Sequence, residues 1–193
     1  MKTLSTLFVL SLLVTSSAFA TVYRIDKSVS KVEWIGEKVT GRHNGFLKVK
    51  SGQFKIENDK IKSGEVIIDM KSVTVADLEG KWADKLLAHL KSDDFFATKK
   101  FPEAKFKIDT ASNLPGNETI LKGKLTIKGK THPATIAVKS LLKEGRLEGN
   151  GTLKFDRTKW GIKYNSGKFF ESLGDKLIED EVTVELNLVA KRV

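Results

Sequence analysis

The segment EVTVELNLVA, residues 181–190, decides the fold class of this chain. From Val182 to Ala190 every second position is apolar, and Thr, Glu and Asn fill most positions between them. Successive side chains of a β-strand point to opposite faces, so this alternation is typical of a strand with one face toward an interior. We therefore predict an all-β protein. The same two-residue period recurs in residues 106–108, 121–127, 134–138 and 147–155.

Turn-forming residues separate these runs and predict how they connect. Asn, Asp, Pro and Gly cluster at residues 58–59, 113–117 and 144–145. Short strands joined by tight turns indicate an antiparallel meander, which either packs against a second sheet or closes on itself as a barrel. Gly149 and Gly151 occupy consecutive positions on one strand face, where missing side chains allow a sharp bend or a close approach.

One segment departs from the two-residue period. Over residues 80–94 the apolar positions repeat at helical spacing and charged residues occupy the other side. We predict one amphipathic helix of about three turns over this range. Pro102 prevents that helix from continuing past Phe101. The apolar helical positions are Trp82, Leu86, His89 and Leu90.

Residues 1–20 have the features of a secretory signal peptide. Lys2 gives a basic start, an apolar run follows, and Ala-Phe-Ala at positions 18–20 forms a cleavage site. We expect cleavage after Ala20, a periplasmic or secreted protein, and a single domain over residues 21–193. Since the chain contains no cysteine, packing rather than disulfide bonds must stabilise that domain.

The chain is basic, with a net charge of +10 that falls by one when Lys2 is removed. The positive residues are spread through strand-like segments, and secretion argues against nucleic acid as a partner. A distributed basic face is usually a solvated surface, and it also favours transient contact with anionic lipid head groups. The sequence is compatible with a monomer and with a homodimer.

The residue pattern nominates no catalytic or metal site. Without cysteine there are no thiol nucleophiles or thiolate ligands, and neither Gly-x-Ser-x-Gly nor His-Glu-x-x-His occurs. His43, His89 and His132 lie in a loop, a helix and a turn, and none belongs to a spaced ligand pair. We therefore expect no metal ion and no cofactor.

The segment FDRTKWGIKY, residues 155–164, has two interpretations. In the first, Asp156 acts as a base and Arg157 as an anion clamp. In the second, which we favour, these two residues form an ion pair that ties a strand end to the next loop, while Trp160 plugs the barrel. Arg157 remains a candidate head-group contact in this second interpretation.

Four blocks in order, and a closing strand, carry a resemblance to a known family: YRIDKSVSKVEWIGEKVTGRHNGFLKVKSGQF (23–54), LLAHLKSDDFFATKKFPEAKF (86–106), LKGKLTIKGKTHPATIAV (121–138), FDRTKWGIKY (155–164) and IEDEVTVELNLVA (178–190). They resemble the YceI family of secreted, lipocalin-like, polyisoprenoid-binding proteins. The resemblance implies an eight-stranded antiparallel barrel with one helix, enclosing an apolar tunnel for an isoprenoid or another long-chain amphiphile. The chain departs from the family at Lys27, where many members carry histidine.

The expected function is a lipid carrier, with a lipid-modifying enzyme and a ligand-free interaction module as alternatives. Aromatic rings suit a tunnel because they provide large apolar area at low entropic cost. Candidates for the tunnel wall or lid are Trp34, Phe46, Trp82, Leu86, Leu90, Phe95, Phe96, Phe101, Phe106 and Trp160. Candidates for contact with a polar head group are His43, Asn44, Arg157 and Lys163.

Overall fold

The computed structural model describes residues 20–193, so the predicted signal peptide lies outside the described residues except for Ala20. Nine β-segments and one α-helix make up this part of the chain. The segments are β1 Thr21–Ile25, β2 Lys31–Lys38, β3 Gly41–Glu57, β4 Lys60–Asp69, β5 Glu103–Asn113, β6 Glu118–Ile127, β7 Lys130–Lys143, β8 Arg146–Asp156 and β9 Ile178–Arg192. The helix α1 spans Gly80–Lys91, and short 3₁₀ turns occupy Met70–Ser72, Arg157–Trp160 and Gly174–Lys176.

The nine segments occupy eight positions of a closed barrel. β2 pairs with residues 41–47 of β3, and β1 pairs antiparallel with residues 53–56 of the same strand. Both segments also pair antiparallel with β9. β1 and β2 therefore run in line as one interrupted strand, and every other strand pairs with its neighbours in chain order. The predicted all-β fold, an eight-stranded antiparallel barrel with one helix, is confirmed.

The interruption between β1 and β2 is a turn organised by Asp26. Its carboxylate accepts hydrogen bonds from the backbone N–H and the hydroxyl of Ser28, at 3.1 and 2.6 Å. Ser30 donates its hydroxyl to the Asp26 carbonyl at 2.8 Å and accepts from the N–H of Val189 at 3.0 Å. The ammonium of Lys191, together with Ser28, lowers the pKa of Asp26 to about 2.

Three hairpin turns each place two residues in the left-handed region. Positive φ angles occur at residues 58–59, 128–129 and 144–145. Paired positive φ values characterise the two-residue hairpin turns whose twist matches that of antiparallel strands. The turns predicted at residues 58–59 and 144–145 are present, and they fix the meander.

The helix α1 ends earlier than predicted, at Lys91 rather than at residue 94. The reason is Ser92, whose extended backbone stops the helix while its N–H and hydroxyl both donate to the His89 carbonyl. The N–H of Phe96 then donates to the Leu90 carbonyl at 3.1 Å. Phe95 and Phe96 consequently lie in a compact turn after the helix and do not form its last turn.

The barrel has two different ends. At one, α1 connects β4 to β5, and the β2–β3 turn, residues 73–79 and the long segment 157–177 lie beside it. We call this the helix end. At the opposite end, the turn end, short connections join β3 to β4, β5 to β6 and β7 to β8. No helix within residues 20–193 is long and apolar enough to cross a membrane.

Candidate functional site

The interior of the barrel contains a cavity of about 130 Å³. That volume is roughly ten times the space that a single buried water needs. Side chains from β2 through β9 line the cavity, and nearly all of them are aliphatic or aromatic. Ser140 contributes a hydroxyl, whereas Lys105 belongs to the outer face, where its ammonium lies 3.5 Å from the carboxylate of Glu65.

The cavity is long and narrow. On β8 the lining residues run from Leu147 to Phe155, which at about 3.3 Å per residue corresponds to roughly 26 Å of strand. At the helix end the lining reaches Met70 and Phe96. Because this small volume borders residues along most of the barrel, the space is long relative to its width.

The open space lies against one wall of the barrel. Inward-facing residues of β4, β5 and β6 are mostly buried, whereas those of β7, β8 and β9 are often only half-buried. Open space adjoins this second wall at Gly149, where an added Cβ would meet no atom within 4 Å, while Val138, Gly151 and Leu186 also border a groove on the outer face. The half-buried lining residues there are Val138, Ser140, Gly149, Gly151, Val184, Leu186 and Leu188.

The two glycines of β8 have different roles in this wall. A Cβ added to Gly149 would meet no atom within 4 Å, so this glycine leaves room inside the cavity. A Cβ on Gly151 would lie 2.7 Å from Cγ1 of Val138, so this glycine permits close approach of the neighbouring strand. Of the two alternatives predicted for this glycine pair, a sharp bend and a close approach, the close approach occurs at Gly151.

Three of the predicted wall residues line the cavity: Trp34, Phe96 and Phe106. The indole N–H of Trp34 donates to the Thr74 carbonyl at 2.9 Å, so its ring is held against the interior. This arrangement depends on Gly45, where a Cβ would collide with the same carbonyl. Phe96 lines the cavity at the helix end, from the turn that follows α1.

The other predicted wall residues lie elsewhere. Phe46 is on the outer face, with the Lys31 ammonium 4.5 Å from its ring centre, and Phe101 packs against Gly129. Leu86 is half-buried against the core. Leu90, Phe95 and Trp160 are buried but do not line the cavity. Whether any of these residues contacts a ligand stays a prediction.

Trp82 does not belong to the buried side of α1, contrary to the prediction from its spacing. Its side chain is 71% exposed. Burial on α1 increases along the helix: Leu86 is half-buried and Leu90 is 4% exposed. The helix thus packs on the barrel through its C-terminal half, and its first turn leaves Trp82 in solvent.

An aromatic cluster anchors the end of α1. The His89 ring meets Phe95 and Tyr164 edge to face, with centroid distances of 5.0 and 4.3 Å. Phe95 also contacts Phe96, at 5.8 Å between centroids. Burial lowers the pKa of His89, although the charge of Asp94 opposes this shift. The folded environment therefore favours the neutral imidazole more than water does.

The predicted ion pair between Asp156 and Arg157 is absent. Arg157 is 1% exposed and donates to the carbonyls of Glu179, Ile162 and Ile178 at 2.9 to 3.0 Å. Its guanidinium also lies 3.5 Å from the carboxylate of Asp180. Arg157 thus holds the segment after β8 against the start of β9, and its position is buried rather than at a mouth.

Asp156 instead begins the 3₁₀ turn that contains Arg157. Its carboxylate accepts from the N–H and hydroxyl of Thr158, at 2.9 and 2.6 Å, and lies 2.7 Å from the Lys168 ammonium. Burial opposes its ionisation, but these partners outweigh burial and lower its pKa to about 2. Because Asp156 caps this turn, its carboxylate is directed away from the guanidinium of Arg157.

The remaining head-group candidates also lie at the helix end, and none of them lines the cavity. The His43 ring nitrogen Nδ1 is 2.6 Å from the carboxylate of Asp77, which also accepts from the Asn44 N–H at 3.0 Å. The Lys163 ammonium lies 4.4 Å from the centre of the Phe169 ring. Their contact with a lipid head group stays a prediction.

Within residues 20–193, no group of three histidine, aspartate or glutamate side chains is arranged to hold a metal ion. Most residues of the cavity wall are ones that the sequence analysis did not nominate as ligand contacts, and they are mainly aliphatic side chains distributed over β2 to β9. The alternation in residues 181–190 had already placed Leu186 and Leu188 inside. Whether these two side chains border the cavity depends on where the barrel interior is unfilled, and alternation does not predict that.

Comparison with known proteins identifies the family to which this barrel belongs. A family model of the YceI-like domain matches residues 23–190. The chain is a member of the YceI-like family. Its relatives include a UPF0312 protein of Photorhabdus laumondii, 29% identical over 187 residues that cover 94% of this chain and 93% of that protein. A UPF0312 protein of Shewanella baltica is 31% identical over 178 residues, covering 85% and 88% of the two chains.

Solved structures show the same YceI-like barrel. BcnA of Burkholderia cenocepacia has a TM-score of 0.72 at 25% identity, with coverage of 86% of this chain and 99% of that one. A polyisoprenoid binding domain from Saccharophagus degradans has a TM-score of 0.63 at 15% identity and covers 90% and 99% of the two chains. At 15% identity, the likeness to the Saccharophagus degradans domain shows that the two chains share a fold.

Proposed function

We propose that this protein is a periplasmic carrier that holds a polyisoprenoid or another long-chain amphiphilic lipid inside its barrel. The observation that carries the proposal is the shape and chemistry of the cavity, a narrow channel running roughly 26 Å along β8 between apolar walls. The fold shared with a polyisoprenoid binding domain supports the same ligand class. The predicted signal peptide supports the compartment.

The energetics of the channel favour a hydrocarbon tail. Each methylene transferred from water into an apolar interior contributes about 0.8 kcal/mol, so affinity accumulates with chain length. The channel offers few hydrogen bonds to a ligand, because Ser140 contributes the one hydroxyl group among the described lining residues. The channel therefore selects a ligand by length and width, and leaves its head group near an end.

The proposal assigns binding and no chemical step. The described residues that line the cavity include no histidine, aspartate or glutamate, the groups that most often transfer protons in enzymes. Ser140 has no such base beside it on the lining. A lipid-modifying enzyme would need a polar group beside the reacting carbon of its substrate. The side chains that line this channel are almost all apolar.

A chain-length series tests the proposal. Because Trp34 lines the cavity, ligand entry changes its fluorescence; a Trp82→Phe background removes the solvent-exposed indole from the signal. Delipidated protein is titrated with straight-chain alcohols of increasing length. We expect affinity to rise severalfold per added methylene until the channel is filled. Affinity that is independent of chain length would contradict a tail-binding channel.

A further inference from the structure

The exposed aromatic side chains of the described residues are concentrated at the helix end. Trp82 on α1 is 71% exposed, and Tyr164, Phe169 and Phe170 on the segment after β8 are 40 to 50% exposed. Val39 in the β2–β3 turn, 62% exposed, belongs to the same end. We call these five residues the aromatic face. The other exposed large apolar residues within 20–193 are aliphatic and lie outside the helix end: Val29, Leu114, Leu141 and Val193.

Contacts between elements bring this face together. Tyr164 packs on His89 of α1, at 4.3 Å between ring centroids. The N–H groups of Phe169 and Phe170 both donate to the Ser166 carbonyl at 3.0 Å, which fixes the two rings on one short turn. The N–H of Val39 donates to the Leu177 carbonyl at 3.4 Å, so the β2–β3 turn lies beside the same segment.

Lysine side chains lie directly on these rings. The Lys163 ammonium is 4.4 Å from the Phe169 ring centre, and the Lys85 ammonium is 5.8 Å from the Trp82 ring. The aromatic face therefore presents apolar rings and positive charge at the same surface. Lysine stems can cover apolar surface while their ammonium groups stay in the polar layer.

We propose that the aromatic face docks this protein on an anionic lipid bilayer. Indole and phenol rings favour the boundary between head groups and acyl chains, and phenylalanine adds apolar area. Lysines near the surface are attracted to anionic head groups by about 1 kcal/mol each. Exposed apolar groups gathered in one place on a soluble domain mark an interaction surface. A bilayer satisfies both the exposed rings and the lysine ammonium groups that lie on two of them.

The position of the face connects docking to the cavity. Phe96, which lines the cavity at the helix end, lies in the turn after α1, and α1 carries Trp82. A molecule docked through the aromatic face would present this end of its channel to the membrane. This inference adds a surface and a partner to the proposed function and does not require a loaded cavity.

Vesicle binding tests the inference. Purified protein is centrifuged with vesicles of equal parts phosphatidylglycerol and phosphatidylcholine, and with vesicles of phosphatidylcholine alone. We expect cosedimentation with the anionic vesicles, reduced by added salt, and a blue shift of tryptophan emission. Trp82 is the source of that shift because Trp34 and Trp160 are already buried. No binding, or equal binding to the neutral vesicles, would overturn the proposal.

Matched variants locate the surface. Phe169→Ser combined with Phe170→Ser should weaken partitioning roughly tenfold, since two half-exposed rings no longer enter the interface. Leu141→Ser, at a site that is 52% exposed outside the helix end, should leave partitioning unchanged. Equal losses in both variants would overturn the assignment of the face. Circular dichroism and thermal melting verify that each variant is folded.

A charge variant provides an independent arm. Lys85→Glu combined with Lys163→Glu should abolish binding to anionic vesicles at low salt, and unchanged binding would overturn the role of the lysines. If wild-type protein retains lipid but binds no vesicles, docking fails and the carrier function stands. If it binds vesicles but retains no lipid, the carrier function fails and docking stands. Self-association through the face without vesicle binding, detected by sedimentation velocity, would also overturn the proposal.

Discussion

Gly149 is the residue whose missing side chain most directly creates room in the barrel. Because an added Cβ meets no atom within 4 Å, Gly149→Leu should direct an isobutyl group into the open space of the cavity. We expect strongly reduced lipid retention and unchanged or slightly higher stability. Lipid extraction followed by mass spectrometry measures the first, and urea unfolding the second.

Asn150 provides the matched control for that change. It is the next residue on β8, and it is exposed on the outer face. Asn150→Leu adds a comparable apolar group to the same strand, so lipid retention should be unchanged. Loss of retention in both variants would indicate damage to the strand rather than blockage of the channel.

Arg157 is the residue on which the segment after β8 most depends. Replacing it with Met removes three hydrogen bonds to carbonyls and leaves Asp180 without its buried partner. We expect the free energy of unfolding to fall by about 3 kcal/mol. Arg157→Lys should recover little, because an ammonium cannot reproduce the planar fork of donors. Urea unfolding measures both variants.

Lys163 offers the comparison for that measurement. It lies on the same segment, and its ammonium rests on the Phe169 ring instead of entering the core. Lys163→Met should change stability by less than about 0.5 kcal/mol. A loss at Arg157 no larger than the loss at Lys163 would contradict the role assigned to the buried guanidinium.

At the scale of elements, the attachment of α1 should depend on pH through His89. Its folded-state pKa lies below the ordinary value of 6.5, so the unfolded chain binds a proton in a range where the folded protein does not. Stability contributed by this group is present above pH 6.5 and is lost as pH falls from 6.5 through the lowered value. This range lies above that of Asp26 and Asp156, whose stabilising effect declines below their ordinary 3.8 toward about 2.

His89→Phe isolates this effect from other titrations. Phenylalanine keeps an aromatic ring against Phe95 and Tyr164 but cannot be protonated. Between pH 7 and pH 5 the wild type should lose more stability than the variant, as measured by urea unfolding at each pH. Equal slopes for the two proteins would mean that His89 does not couple α1 to pH.

The elements also show what the sequence predicts well and what it does not. The strands of residues 121–127 and 147–155 and two hairpin turns follow from alternation and turn chemistry, because both signals are local. The end of α1 could not be predicted in this way, because it depends on a hydrogen bond from the Ser92 hydroxyl, which periodicity does not detect. Trp82 was misplaced because helical spacing identifies a side of the helix but not how far along it the barrel extends.

The site illustrates the same limit. Trp34, Phe96 and Phe106 were nominated and line the cavity, yet the open space lies against Gly149 and the aliphatic residues of β7 to β9. Unfilled volume is a property of all eight strand positions together. Arg157 was expected to form an ion pair with Asp156. Its hydrogen-bond acceptors are instead carbonyls of β9 and of the segment after the 3₁₀ turn, and only the tertiary fold brings these together.

At the scale of the whole molecule, we predict from the signal-peptide features of residues 1–20 that the barrel acts outside the cytoplasm. Expression of the full chain in a Gram-negative host should yield protein in the periplasm whose first residue is Thr21. Edman sequencing of the purified protein measures this directly. A chain that keeps Met1 and stays in the cytoplasm would contradict the expected compartment.

Native mass spectrometry of the purified protein tests the central claim most directly. The closed barrel and its narrow apolar channel predict a mass above that of the polypeptide by one long-chain lipid, released by organic extraction and absent from Gly149→Leu. The extracted protein should recover the added mass when incubated with the released lipid. A wild-type mass equal to that of the polypeptide, from native preparations that remain folded, would contradict a lipid-carrying barrel.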